Sequence, residues 1–172
     1  DDPRSNYALA HKTLFTPLRI TPSQVYRMAG ESRDPQAAAY EYEQQLRLAT
    51  KTSPSAQPSL DLIILGLGGD GHTASLFPGA SILRDHQSVI AVTQSPKDPP
   101  SRLTMTLGVI NRASVILFLV TGAGKARVVK AILDPKTEAE RRLPASLVRP
   151  EKGRVIWFLD RAAAAELPIH QQ

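Results

Sequence analysis

The sequence contains no cysteine, which excludes a disulfide framework, a cysteine-based zinc site and thiol chemistry. It also lacks any apolar run approaching the ~18 residues that a membrane span requires. Its first residues, DDPRSNYALAHK, do not show the cationic and then apolar order of a signal peptide. We therefore expect a cytoplasmic protein with no membrane partner.

Aromatic residues are also scarce, at 5 % of the chain, which is too few for an obvious base-stacking surface. The net charge is +5, but the 21 basic residues are scattered among 16 acidic ones. Scattered charge does not form the basic stripe typical of nucleic-acid binding. The composition therefore predicts no nucleic-acid partner and favours a small anionic ligand.

The chain has 172 residues and a hydrophobic content of 42 %, enough for a sizeable core, so residues 1–172 are predicted to form a single domain. Apolar runs and helical patterns alternate, which predicts an α/β fold with a mainly parallel sheet and helices on both faces. The predicted strands are 60–66, 88–92, 114–120 and 154–160, and the continuous apolar run of the first is typical of a strand buried on both faces. The predicted helices are 5–18, 34–51, 124–133 and 161–167.

The stretch LGLGGDGHTASLFPG, residues 65–79, follows the first predicted strand and holds five of the ten glycines. Gly66, Gly68 and Gly71 fit the G-x-G-x-x-G pattern of a dinucleotide-binding turn. Pro78, however, ends the following segment too early for the long helix that such a turn requires, and the next predicted strand does not end in a carboxylate. Asp70 would also bring a negative charge close to the pyrophosphate. Nucleotide binding is therefore disfavoured.

The same loop supports a catalytic interpretation. A histidine side chain ordinarily titrates near neutral pH, and a carboxylate beside it can fix its tautomer, so Asp70 and His72 form a candidate acid–base pair. Glycines after a strand can turn backbone N–H groups toward a developing oxyanion. A structural alternative stays open, in which His72 caps a short helix and Asp70 only supports a turn.

These residues carry a resemblance to a known family. GLGGDGHTASLFPG is similar to the signature of the 6-phosphogluconolactonase family, and the segments DPQAAAYEYE, SRLTMTLGVINRA, VTGAGKA, LPASLV and WFLDRAAA resemble other family segments in the same order. The resemblance implies a Rossmann-like fold of the sugar-phosphate isomerase/deaminase type. It also implies hydrolysis of 6-phospho-D-glucono-1,5-lactone to 6-phosphogluconate, in the oxidative pentose phosphate pathway, without a metal or organic cofactor.

The resemblance implies roles for the loop residues. His72 would be the general base that takes a proton from the attacking water, and Asp70 would orient or polarise the site. Gly68, Gly69 and Gly71 would shape the loop and offer backbone N–H groups to the oxyanion.

Three residues outside the loop are also implicated. Lys125, in TGAGK, matches the family lysine that binds the substrate phosphate, beside a predicted helix N-terminus that favours an anion. Arg102 is a weaker candidate for the same phosphate or for the sugar acid. Asn6 would line the site, although capping the first helix is its more ordinary role.

Glucosamine-6-phosphate deaminases share the fold and are the main alternative. Their signature has a glutamate five residues after the histidine, where this chain has Phe77. An apolar ring cannot relay a proton, so this position favours the lactonase.

The family also begins with a further portion that includes a first strand, a phosphate loop of GGST type and an Asp-Glu-Arg segment, none of which is in this sequence. We therefore expect an N-terminally truncated domain without its first strands, with an exposed sheet edge, as a monomer or weak homodimer. A second alternative is an inactive fragment that still binds a sugar phosphate.

Overall fold

The computed structural model describes residues 5–168, in which strands and helices alternate along most of the chain. The α-helices are α1 Asn6–Ala10, α2 Pro35–Ala49, α3 Leu107–Ile110, α4 Ala126–Leu133 and α5 Glu138–Arg141. The strands are β1 Leu62–Leu65, β2 Ile90–Gln94, β3 Ser101–Met105, β4 Val115–Val120 and β5 Arg154–Leu159. Among these residues, no helix is both long and apolar enough to cross a membrane.

A three-stranded parallel sheet, in the order β1-β4-β5, forms the centre of the fold and confirms the predicted α/β class. Its strands bury one face, on which side chains from β1 and β4 pack against α4 through residues such as Val129. The opposite face is half exposed, with Leu62, Ile64, Leu119 and Phe158 each 49–60 % exposed. The burial on both faces expected for the first strand, 60–66, therefore holds for one face only among residues 5–168.

The second predicted strand does not join this sheet. It forms β2, which pairs with β3 in a separate antiparallel hairpin. Strand β3 was not predicted, because SRLTM is rich in polar residues and follows two prolines. Helix α2 packs on the hairpin by burying Ala39 and Leu46 against Val89 and Ile90.

The helix predictions vary in accuracy. Helix α2 begins as expected, since the Asp34 carboxylate accepts hydrogen bonds from the backbone N–H groups of Gln36 and Ala37 at 3.1 and 3.0 Å. The first predicted helix is instead divided into α1, capped by the Ser5 side chain, and a wider π-helical turn over His11–Phe15.

The prediction of a helix over 161–167 was wrong. This segment forms successive turns. In one of them the Leu167 N–H donates to the carbonyl of Ala164, three residues earlier, as in a turn and not as in an α-helix. Its alanines favour a helix, but seven residues give too few hydrogen bonds to offset the cost of helix nucleation.

The centre of the sheet gives a direct test of its packing. Phe118 is fully buried and stacks on Trp157 of the adjacent strand, with ring centroids 4.0 Å apart. We expect Phe118→Ala to lower the free energy of unfolding by about 3–5 kcal/mol, because it removes a large buried ring and leaves a cavity. Urea unfolding followed by the fluorescence of Trp157, the single tryptophan, measures this change. The exposed Phe158→Ala is the matched control, and an equal loss in both variants would contradict the assignment of the core.

Candidate functional site

The glycine loop lies at the carboxyl end of β1 and closes on itself through backbone hydrogen bonds. The Gly68 N–H donates to the His72 carbonyl at 2.8 Å, and the Gly71 N–H donates to the Gly68 carbonyl at 3.0 Å. Gly71 has a φ of +84°, a conformation that a side chain rarely adopts. The loop is therefore a tight turn that holds Asp70 and His72 at fixed positions.

A distant segment supports this turn. The Ala145 N–H, within the 3₁₀ turn Pro144–Leu147, donates to the Gly71 carbonyl at 3.0 Å. The Leu143 side chain packs so closely on Gly71 that a Cβ there would lie 3.0 Å from it. The segment LPASLV resembles a family segment, but its contact with the loop could not be predicted, because a contact across more than 70 positions leaves no periodic signal.

Asp70 and His72 contact each other directly. The His72 Nδ1 lies 2.5 Å from the Asp70 Oδ1, and the same oxygen accepts the His72 backbone N–H at 3.1 Å. Partial burial raises the pKa of the Asp70 carboxyl. The hydrogen bonds and the attraction from His72 outweigh this effect, so the pKa lies below its ordinary value.

The protonation of the imidazole follows from this contact. An ionised carboxylate can only accept hydrogen bonds, so Nδ1 of His72 carries the proton and donates it to Asp70. The lone pair is then on Nε2, which makes no hydrogen bond to any described residue. The pair is thus arranged to accept a proton at Nε2.

Gly68 provides the surface on which the imidazole rests. A Cβ added at Gly68 would lie 2.0 Å from the His72 Nδ1 and 2.6 Å from the Asp70 Oδ1. Only glycine therefore allows the acid–base pair to occupy this position.

The loop N–H groups are only partly available to an oxyanion. Those of Gly68 and Gly71 are used inside the turn, which corrects the expectation that all three glycines would offer them. The N–H of Gly69 has no hydrogen-bond acceptor among residues 5–168, and a Cβ built at Gly69 would meet no atom within 4 Å. Of these three glycines, Gly69 is therefore the one whose N–H group remains for an oxyanion.

The Phe77 ring packs against the His72 imidazole. The ring is 7 % exposed, and its centroid is 4.8 Å from that of His72. Phe77 and Asp70 also border a cleft of about 730 Å³ whose other wall includes Thr93 and Gln94 of β2. His72 and Lys125 do not line this cleft, so it adjoins the acid–base pair through Asp70 and Phe77.

Lys125 reaches the glycine loop from the neighbouring strand end. It lies at the end of the 3₁₀ turn Ala123–Lys125 that follows β4, and its Nζ donates to the Leu67 carbonyl at 2.7 Å. Leu67 immediately precedes Gly68, so the ammonium group lies next to the loop. An ammonium group has three N–H donors, which leaves two for an anion.

Arg102 and Asn6 are not hydrogen-bonded to the loop in the described part of the chain. The Arg102 guanidinium folds back on its own hairpin and donates to the carbonyls of Pro99 and Asp98 at 3.1 and 3.4 Å. Asn6 is the exposed first residue of α1, where Ser5 provides the cap.

Within residues 5–168, no three histidine, aspartate or glutamate side chains are grouped so as to hold a metal ion. The expected absence of a cofactor stays a prediction. Asp160 was not among the predicted site residues, and its carboxylate accepts the backbone N–H of Gly122 at 3.0 and 3.1 Å.

The lowered pKa of Asp70 predicts a pH-dependent contribution to stability. A depressed carboxyl pKa stabilises the fold at pH values above the ordinary pKa and loses this effect as the pH falls through the lowered value. Asp70→Asn should therefore reduce the free energy of unfolding at pH 7 by less than about 1 kcal/mol, since Asp70 is 45 % exposed and solvent screens it. The difference between wild type and variant should shrink below about pH 4.

Urea unfolding at a series of pH values measures this difference. Asp61→Asn is the control, because the exposed Asp61 side chain makes no hydrogen bond within residues 5–168. A difference for Asp70→Asn that grew with acidity would contradict the role of the His72 contact.

A parallel sheet with an Asp–His pair on a glycine loop at its carboxyl edge places the chain in the Rossmann-like class of α/β proteins. The model of the family described as glucosamine-6-phosphate isomerases/6-phosphogluconolactonase matches residues 1–157, and the chain belongs to this family.

Individual relatives support the same placement. The 6-phosphogluconolactonase of Homo sapiens is 42 % identical over 98 % of this chain, which spans 64 % of the human protein. The crystal structure of 6-phosphogluconolactonase from Leishmania guyanensis superposes with a TM-score of 0.81 at 26 % identity, covering 98 % of this chain and 70 % of that one. A monomeric glucosamine-6-phosphate deaminase superposes with a TM-score of 0.72 at 26 % identity, covering 96 % and 69 % of the two chains.

Proposed function

We propose that this chain carries the acid–base part of an enzyme that hydrolyses 6-phospho-D-glucono-1,5-lactone to 6-phosphogluconate. The observation that carries the proposal is the Asp70–His72 contact on the glycine loop, in a chain 42 % identical to a protein named 6-phosphogluconolactonase. The substrate is a phosphorylated sugar lactone, which agrees with the small anionic ligand favoured by the composition.

In the proposed reaction, Nε2 of His72 takes a proton from water as the water oxygen attacks the lactone carbonyl carbon. Asp70 holds the imidazole through Nδ1–H and stabilises the imidazolium that forms. The oxygen of the tetrahedral intermediate carries the negative charge, which the N–H of Gly69 is free to bind. Collapse breaks the bond from the carbonyl carbon to the ring oxygen, which receives the proton from Nε2. The product is the open-chain acid.

We assign Lys125 to the phosphate of the substrate. Its ammonium group is tethered beside the loop by Leu67 and keeps two donors, which suits a dianionic phosphate. Arg102 and Asn6 receive no role in this proposal, because the Arg102 guanidinium binds its own hairpin and Asn6 lies in the first turn of α1.

The direct test is to follow acid release from freshly prepared 6-phosphogluconolactone above its spontaneous hydrolysis. We expect a protein-dependent rate proportional to protein concentration, and slower turnover of gluconolactone, which lacks the phosphate. The absence of any rate above the spontaneous one would refute the proposal.

The deaminase is the second candidate, supported by the structural similarity to a glucosamine-6-phosphate deaminase. Phe77 argues against it, because its apolar ring packs on His72 where a proton-relaying carboxylate would be needed. Ammonia release from glucosamine 6-phosphate distinguishes the two functions, and we expect none. Calorimetric binding of 6-phosphogluconate without turnover would instead support the inactive sugar-phosphate-binding fragment.

A further inference from the structure

Asp160 lies directly after β5, at the same carboxyl edge of the sheet as the glycine loop. Both oxygens of its carboxylate accept the Gly122 N–H, at 3.1 and 3.0 Å, and Oδ1 also accepts the Ala163 N–H at 2.7 Å. Hydrogen bonds to an ionised acceptor are about twice as strong as those between neutral groups. Asp160 therefore joins the segment that follows β5 to the loop that follows β4.

Gly122 is the point at which this contact acts on the backbone. Its φ is +95°, which a residue with a side chain rarely adopts. Glycine also loses more conformational freedom on folding than other residues, and the hydrogen bonds from its N–H to Asp160 favour this one conformation. The Gly122 carbonyl accepts the Lys125 N–H at 3.0 Å and so begins the turn Ala123–Lys125.

Lys125 completes the connection to the acid–base loop. Its side chain leaves the end of this turn and donates from Nζ to the Leu67 carbonyl at 2.7 Å. Hydrogen bonds thus run from Asp160 after β5, through Gly122 after β4, to Leu67 after β1. The three strand ends are joined in the same order as the strands in the sheet.

We infer that Asp160 is a positioning residue that holds the Lys125 ammonium group beside the glycine loop, through its hydrogen bonds to Gly122. This inference rests on the proposed function in that Lys125 is assigned the phosphate of the substrate. Asp160 acts on the backbone that carries the lysine, and it touches no reacting atom in the proposed mechanism.

The test is a double-mutant cycle of Asp160→Asn and Lys125→Met, measured as kcat and KM for 6-phosphogluconolactone. Asparagine keeps one oxygen acceptor but loses the second one and the charge. We expect Asp160→Asn to raise KM by about 10-fold and to change kcat by less than about 3-fold, because uniform substrate binding is weakened. In the Lys125→Met background, the same substitution should leave KM unchanged. Multiplicative KM effects, or a fall in kcat at constant KM, would overturn the inference.

Asp85→Asn is the matched control. The Asp85 Oδ1 accepts the N–H groups of Gln87 and Ser88 at 2.8 and 3.0 Å, so the same kind of interaction is lost in another turn. We expect it to lower the melting temperature by a few degrees, about as much as Asp160→Asn, with no change in KM. A KM increase equal to that of Asp160→Asn would reduce the effect to general destabilisation.

Two measurements do not depend on turnover. Amide hydrogen exchange at Gly122 should be faster in Asp160→Asn than in wild type, and unchanged exchange would refute the positioning role. The melting temperatures of wild type, Asp160→Asn, Lys125→Met and the double variant show without any substrate whether the two residues interact. Additive shifts in melting temperature would refute the interaction. A wild-type protein without lactonase activity would refute the proposed function alone. Gly122→Ala, which strains the same backbone, should reproduce the KM increase if Asp160→Asn does not fold.

Discussion

Replacing His72 with alanine is expected to slow protein-dependent hydrolysis of 6-phosphogluconolactone by about 100-fold or more. The physical reason is that Nε2 is the one nitrogen of the Asp70–His72 pair left to accept the proton of the attacking water. A positioned general base typically contributes a factor of about 10²–10⁴ to a rate. The measurement is acid release at constant pH, with the spontaneous rate subtracted, over a range of substrate concentrations.

His86→Ala is the matched control for this experiment. His86 is exposed and follows the 3₁₀ turn Ser81–Arg84, outside the glycine loop. We expect it to leave kcat and KM within about 2-fold of wild type, because a surface substitution away from the site usually perturbs the fold very little. Full activity in His72→Ala would show that the imidazole is structural, and the capping alternative considered for His72 would then be preferred.

Replacing Gly68 with alanine is expected to lower kcat/KM by about 100-fold, although only one methyl group is added. The new Cβ would lie 2.0 Å from the His72 Nδ1 and 2.2 Å from its Cε1, so the imidazole must move away from Asp70. A displacement of about 1 Å in a catalytic group is enough for a loss of this size. Steady-state kinetics measure the loss, and the melting temperature shows whether the variant is folded.

Gly66→Ala provides the comparison, because Gly66 lies two residues earlier in the same loop and a Cβ there meets no atom within 4 Å. We expect it to keep nearly full activity. Equal losses in both variants would mean that the loop as a whole is sensitive to alanine. Normal activity in Gly68→Ala would mean that the contact between Asp70 and His72 is not needed for the reaction.

The central sheet could be predicted from sequence because its strands are continuous apolar runs. The runs at 60–66, 114–120 and 154–160 all appear in the parallel sheet. The hairpin could not be predicted, because β3 is as polar as a loop and gains its place by pairing with β2 and packing under α2. The segment 161–167 shows the opposite error, in which strong local helix propensity is overridden in a short segment.

In the candidate site, the contact that could be anticipated from sequence joins residues that are close along the chain. The spacing of Asp70 and His72 allowed a contact without requiring it, and the direct hydrogen bond depends on the turn that Gly68 and Gly71 make. The link from Lys125 to the Leu67 carbonyl crosses 58 positions and ends on a backbone atom, so no side-chain pattern records it. The same holds for Asp160, whose partner is also a backbone group.

The half-exposed face of the parallel sheet is an apolar surface of the kind that favours association between copies of a polypeptide. Leu62, Ile64, Leu119 and Phe158 place large apolar side chains on adjacent parallel strands, and β1 and β5 both end the sheet among the described residues. A net charge of +5 gives only modest repulsion between copies, and added salt screens it. Sulfate and similar salts also strengthen apolar association. We therefore expect added sulfate to favour association of copies through this face, and low ionic strength to oppose it.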